Sequence, residues 1–360
     1  MKFKRSIWIM TLALAGAMPA LAGNTWYVDG VKGSDSNNCQ AAATACKTIG
    51  HAISLALSGD SVVAAAAAYN ENLTIGVNLN LSGAGAPTTI IDGGYANRVI
   101  GIPYGVTVAL SGLTIQHGSA VESGAGIWNE GTVTLSQDIV RENLATFSSA
   151  EGGGIYNGGT MTINASNVGG NHAYGDHEGQ GGGIFNVGTL AINNSTINGN
   201  SAHGAEGAAW GGGIFNSGVL TISSSTLSGN FASRVGGFFN DNGAATLQNT
   251  IIANSSFAGN CEGTITSHGY NLSSDASCNL QEAGDWNDVP VLLGLLHDNG
   301  GPTWTMAPLP GSAAIDGGNP AGCTDGEGNL LTTDQRGLPR PGKYKHDHRC
   351  DIGAFEHQSD

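Results

Sequence analysis

Side chains able to bind metal or move protons gather in the variable loops of the glycine-rich middle of the chain. They include Glu122, Glu151, Asp176, His177, Glu178, His203, Glu206 and Arg234. Carboxylates are hard oxygen ligands, and Ca²⁺ takes about six to eight oxygens. Glu151, Asp176, Glu178 and Glu206 are therefore candidate Ca²⁺ ligands, and Arg234 or a histidine is the base that a calcium-supported lyase would add. The acids stand four to eight residues ahead of the next isoleucine, without a fixed offset. A solvated acidic edge that keeps the protein soluble is the competing expectation.

A second candidate is aromatic. Trp128, Tyr156, Phe185, Phe215 and Phe239 recur between an apolar residue and an asparagine. Strand alternation places the ring opposite its two neighbours. The rings then form either an outward platform for sugar rings or a partner, or a buried stack, since aromatics dominate cores. His268-Gly269 stands alone, without aspartates at a recognisable spacing. His346-x-His348 with Asp347 and Asp351 offers a further divalent-metal arrangement, with a polar loop as its alternative. No nucleophile, base and orienting group stand out together, so the reading leans away from an enzyme.

These residues ride on a repeat. The motifs Gly126-Ile127-Trp128-Asn129, Gly154-Ile155-Tyr156-Asn157, Gly183-Ile184-Phe185-Asn186, Gly213-Ile214-Phe215-Asn216 and Gly237-Phe238-Phe239-Asn240 place asparagines at intervals of 28, 29, 30 and 24 residues. A second asparagine follows each after 14 residues, at 143, 171, 200, 230 and 254. A fixed-length part joined to a variable return path is what a solenoid requires. Apolar pairs alternate in the fixed part, at Val133/Leu135, Met161/Ile163, Leu190/Ile192 and Leu220/Ile222, which predicts strands with one inward face. In the last repeat the pair slips to Leu247, so a bulge or a shifted register is expected there. One coil per repeat, with strands about 4.8 Å apart, predicts an all-β parallel β-helix whose asparagines stack as structural ladders. Residues 47–58 carry a helical period and are expected to cap the first coil.

Composition limits the partners. Glycine contributes 58 of 360 residues without a three-residue period, which excludes collagen. A net charge of −15 excludes a nucleic-acid partner. Residues 1–22 read as a signal peptide, with Lys2, Lys4 and Arg5, an apolar stretch, and Ala20-Leu21-Ala22 as the cleavage site. The protein is therefore expected to be exported to the medium, cell surface or periplasm, with no transmembrane segment in the mature chain. Six cysteines at 39, 46, 261, 278, 323 and 350 fit disulfides in such a compartment. Pairing of sequence neighbours, 39–46, 261–278 and 323–350, is the expected arrangement.

Gly-Gly-Gly-Ile-Phe-Asn at 181–186 and 211–216 resembles the repeats of right-handed parallel β-helix proteins of the pectin-lyase-like fold, and of polymorphic outer membrane proteins. Four C-terminal motifs are similar to the choice-of-anchor Q domain: Asp298-Asn299-Gly300-Gly301-Pro302-Thr303, Leu309-Pro310-Gly311-Ser312-Ala313-Ala314-Ile315-Asp316, Asp334-Gln335-Arg336-Gly337-Leu338-Pro339-Arg340 and Asp351-Ile352-Gly353-Ala354-Phe355-Glu356. The Asp334 and Asp351 motifs are read as turn-fixing. The resemblance implies a right-handed β-helix over 61–280, after a cap over 23–60 and before a C-terminal module over 281–360. The expected function is a non-enzymatic surface or extracellular binding or adhesion module with a polysaccharide or cell-surface partner. The alternative is a polysaccharide lyase or glycoside hydrolase, because the fold hosts both.

Overall fold

The computed structural model describes residues 23–205, 208–255, 259–342 and 349–358, apart from the side chain of Glu122. The expected signal peptide, Glu206, and the His346-Asp347-His348 group lie outside the described residues.

The chain winds into a parallel β-helix. One flank is a ten-stranded sheet that begins with Thr25–Val28 and Asp60–Ala64 and runs through Thr132–Ser136 and Thr189–Asn193. A nine-stranded sheet forms the second flank, from Ala67–Asn70 through Ile139–Arg141 to Leu272–Ser273. An eight-stranded sheet closes the triangle and contains Ile127–Asn129, Ile155–Asn157, Ile184–Asn186 and Ile214–Asn216. Equivalent residues of successive coils pair in parallel, as Val133 with Met161, Met161 with Leu190, and Leu190 with Leu220. Every second residue of these strands therefore enters the core. Leu135, Ile163, Ile192, Ile222 and Leu247 are all fully buried there. Burial of each such side chain contributes about 1.5–3 kcal/mol.

Both asparagine ladders form inside the turns. Asn129, Asn157, Asn186, Asn216 and Asn240 pass amide hydrogen bonds from Nδ2 to the next Oδ1 at 2.6–2.7 Å. Asn143, Asn171, Asn200 and Asn230 repeat the arrangement at 2.9–3.0 Å. Each amide thereby satisfies the next, which removes the penalty of burying it. Asn254 is not part of the second ladder. Ile222 pairs with Leu247 while Asn216 pairs with Asn240, so the last turn holds one extra residue and Asn254 falls opposite Gly229. The slip at Leu247 is thus an insertion in the turn at 241–243. A third ladder runs from the backbone N–H of Asp138 to Ser166 Oγ, then from Ser166 to Ser195, and from Ser195 to Ser225.

The cap helix spans Ile49–Leu55, shorter than its hydrophobic period. Asp35 accepts hydrogen bonds from the backbone N–H groups of Lys47 and Thr48, which holds them outside the helix. Thr48 then caps the N-terminus by accepting from His51 N–H, and Glu71 accepts from Ile49 and Gly50. At the other end, Asp60 captures Leu57 N–H at 2.9 Å and draws the chain into its first long strand. Disulfides join Cys39 to Cys46, Cys261 to Cys278 and Cys323 to Cys350. Among the described residues no helix is long and apolar enough to cross a membrane.

Beyond the last coil the chain turns back and lies as a strap on the outer face of the nine-stranded sheet. Val291, Ala314 and Ile352 pack against Ile251 and Leu272. Polar bonds extend the contact upstream, from Ala354 N–H to Thr226 Oγ1 and from Thr303 Oγ1 to the carbonyl of Ala165. The strap is held in shape by buried ions. Asp334 accepts from the N–H groups of Arg336, Leu338 and Glu356, and pairs with the Arg336 guanidinium at 2.7 Å. Arg340 lies 3.4 Å from Glu356, whose carboxyl burial pushes up to about 7 despite that guanidinium.

Candidate functional site

The strap covers only the downstream coils, and the upstream part of the same outer face forms an open groove of about 330 Å³. Ile90, Thr114, Ile139 and Asn167 make its floor, because these positions point away from the core in successive strands. Leu296 and Trp304 of the strap form one wall, and Arg141 and Glu142 stand at the opposite rim.

An ionic network sits at that rim, where the nine-stranded sheet turns toward the next strand. His117 places Nδ1 2.9 Å from Asp92 Oδ2 and Nε2 3.0 Å from Glu142 Oε2. Gln116 donates to Asp92 at 2.8 Å and accepts from Arg141 Nε and Nη2 at 3.0 and 2.8 Å. Arg141 Nη1 is 3.8 Å from Glu142 Oε1. Burial acts to raise the Asp92 carboxyl, but hydrogen bonds from Gln116 and from Gly94 N–H, together with His117, outweigh it and hold the group below its ordinary value. Asp92 is therefore an anion that orients the imidazole, and the half-exposed Glu142 is the carboxylate facing solvent.

The backbone here is unusual for the residues it carries. His117 and Glu142 adopt φ values of 53°, in the left-handed region. The register places Gly170, Gly199 and Gly229 at the same corner of the next coils, with φ of 60–66°. Glycine is the low-strain choice at such a corner. Two successive coils instead hold ionisable side chains there, and strain of this kind concentrates at functional sites. A Cβ at Gly170 would stand 4.0 Å from Glu142 Cγ, an ordinary contact, so the positive φ and not crowding by Glu142 is what favours glycine there.

The residues singled out by sequence lie elsewhere. Glu151, Asp176 and Glu178 belong to a five-stranded flange built by the return loops, in the strands Leu144–Glu151 and His172–Gln180. Glu151 pairs with Gln180 and Glu178 with Ser149, so the acids sit diagonally and do not stack. Arg234 lies over the Trp210 ring at 5.5 Å. His268 is exposed near the downstream end.

The aromatic row points outward from the eight-stranded sheet while its Ile and Asn neighbours point inward. Its rings stack on one another, with centroids 5.7 Å apart for Tyr156 and Phe185 and 4.9 Å for Phe185 and Phe215. Phe185 and Phe215 are only 6% and 4% exposed. Trp128 carries the Arg98 guanidinium over its ring at 5.2 Å. A second row on the flange stacks His172, Tyr174, His203 and Phe231. Burial there lowers the basicity of both imidazoles, and the neighbouring His203 lowers His172 further, against an opposing pull from Glu142.

No protein-family model and no curated protein sequence matches this chain. Among solved structures, a pectate lyase, Pel9A, is 14% identical over 94% of this chain and 97% of its own, with a TM-score of 0.44. A rhamnogalacturonan lyase is 13% identical, with 70% and 68% covered and a TM-score of 0.34. A pectin methylesterase complexed with a hexasaccharide is 15% identical, with 63% and 79% covered and a TM-score of 0.32. The strand register by itself defines the all-β parallel solenoid.

Proposed function

We propose that the protein binds an extended polysaccharide along the open groove and cleaves it by proton transfer at His117 and Glu142. One observation carries this reading: an imidazole fixed between two carboxylates, beside Arg141, at the rim of an apolar groove. An imidazole oriented by a carboxylate is suited to general base chemistry. Hydrolysis by a carboxylate pair needs the glycosidic bond between the two acids. Here the imidazole fills that place, which favours elimination: one base removes the C–H beside the sugar's acid group, its electron pair becomes a C=C bond, and the glycosidic C–O bond breaks with the leaving oxygen protonated by solvent. Arg141 would meet the acid group of such a sugar. Long-range repulsion from the net charge of −15 is screened beyond about 8 Å at physiological salt.

A polysaccharide-binding or adhesion module without turnover is the second reading. It draws on the fact that both ring nitrogens of His117 are already engaged. Export belongs to either reading, supported by the leader-like residues 1–22 and the three disulfides. The C-terminal strap is read as choice-of-anchor Q-like on its four motifs.

The test uses the full mature chain with polygalacturonate, soluble xylan and galactomannan. Unsaturated ends seen by ultraviolet absorbance support elimination, and new reducing ends without unsaturation support hydrolysis. Binding with neither product supports the module. Absence of any binding overturns both readings.

A further inference from the structure

Resting on the polysaccharide reading, we infer that the C-terminal strap is a working wall of the groove, with Trp304 as a sugar-stacking subsite and Gln335 as the residue that positions it. Trp304 lies between Thr303 and Thr305, which are 1% and 0% exposed, yet it is itself 43% exposed. Thr305 and His297 exchange backbone hydrogen bonds at 3.1 Å, and Asn299 Nδ2 donates to the Thr305 carbonyl at 2.9 Å. The backbone on both sides of the indole is thus fixed, while the ring is turned into the groove beside Leu296. A flat aromatic face fixed by buried flanks and turned into a groove is a surface on which a flat apolar ligand face can stack at little ordering cost. The C–H face of a pyranose ring is flat and apolar, and its hydroxyl edge would meet Asn167 and Asn198 on the floor.

Gln335 sets this geometry from beneath. It is fully buried, and its amide uses every direction it has. Oε1 accepts from Thr196 Oγ1 at 2.6 Å, on the solenoid. The two N–H groups of Nε2 are shared among three acceptors, the Ser166 carbonyl at 3.2 Å, Thr303 Oγ1 at 3.0 Å and the Trp304 carbonyl at 3.0 Å. One side chain therefore clamps the tryptophan's own peptide unit to two neighbouring coils of the groove face. Glutamate at this position keeps the acceptor and loses the donors.

The experiment measures affinity for polygalacturonate, soluble xylan and galactomannan in the full mature chain and in W304A, W304F, Q335E and W304A/Q335E. W304A is expected to weaken the bound polymer at least tenfold with Tm unchanged, and W304F to recover part of the loss. Q335E is expected to weaken binding as well. In the double variant affinity is expected to match W304A alone, because Gln335 acts through the ring. A merely structural role for Gln335 would make the two affinity losses add, and that outcome overturns the positioning claim. Equal affinity of W304A and wild type overturns the subsite. If wild type binds none of the polymers, the polysaccharide reading fails first and the subsite with it.

Discussion

The outer face of the nine-stranded sheet has two halves built from the same repeat. Downstream, Thr226, Ile251 and Leu272 lie under the strap, and the corners that follow the strands of Thr226 and Ile251 are Gly229 and Asn254. Upstream, Ile90, Thr114 and Ile139 line the groove, and the corner holds His117 and Glu142. The third ladder changes across the same divide, with serine at 166, 195 and 225 but a buried aspartate at 138. One scaffold therefore supports a half tuned for packing and a half that keeps charge at its corner. The departures from the repeat mark where the chain does something besides fold.

The largest expected effect concerns Asp138. Its carboxyl accepts from Leu113 and Ser136 N–H, but burial dominates and pushes it up to about 7 from 3.8. A raised carboxyl binds its proton more tightly folded than unfolded, so its stabilising share is present at pH below 3.8 and is lost as pH rises through about 7. Roughly three pKa units correspond to about 4 kcal/mol. D138S, which restores the downstream residue type, is expected to flatten the stability-versus-pH curve between pH 4 and pH 8, measured by urea unfolding. An unchanged curve would remove this group from the account.

Next comes the roof. I251A, packed under the strap at 1% exposure, is expected to cost about 3 kcal/mol, whereas I139A, 8% exposed on the groove floor, is expected to cost about 2 kcal/mol. Equal losses in chemical denaturation would mean the two halves are not packed differently. F185A offers a control on another face. If its stacked ring is packing, stability falls by about 3 kcal/mol while polysaccharide affinity stays put; lost affinity at unchanged stability would restore that row as a platform.

The sharpest contrast uses the corner itself. H117G installs the residue found at 170, 199 and 229 and relieves left-handed strain. Its stability is expected to stay within about 1 kcal/mol of wild type. Turnover of any cleaved polymer should fall at least ~100-fold, about 2.7 kcal/mol in barrier. Retained turnover would sink the base assignment. E142G is the smallest change, with similar stability and a partial loss of rate.

Much of the solenoid was legible because stacking imposes a period that the sequence must repeat. Leu190 and Ile192 had to face inward if Leu220 and Ile222 did, and a buried asparagine had to find its copy in the next coil. The ionic rim was not legible, since Asp92, His117 and Glu142 come from three coils about 25 residues apart, and the first two of those coils lack the Ile-aromatic-Asn signature. One signal was available. The residue before Asn171, Asn200 and Asn230 is glycine, yet the residue before Asn143 is Glu142. Trp304 left no such trace, because it sits in an aperiodic strap whose position over the coils is set by distant hydrogen bonds such as that from Thr196 to Gln335.

The strap also changes how the molecule would come apart. In a simple stack each coil touches only its neighbours, so peeling can start at either end. Here Thr196, Thr226 and Asn249 are tied to Gln335, Ala354 and Asp351, more than 100 residues further along the chain. Under tension applied at its two termini, the molecule would resist like a buckled belt at the downstream end. Fraying would have to begin at the opposite end, past the cap helix, and the groove would be among the first surfaces to be lost.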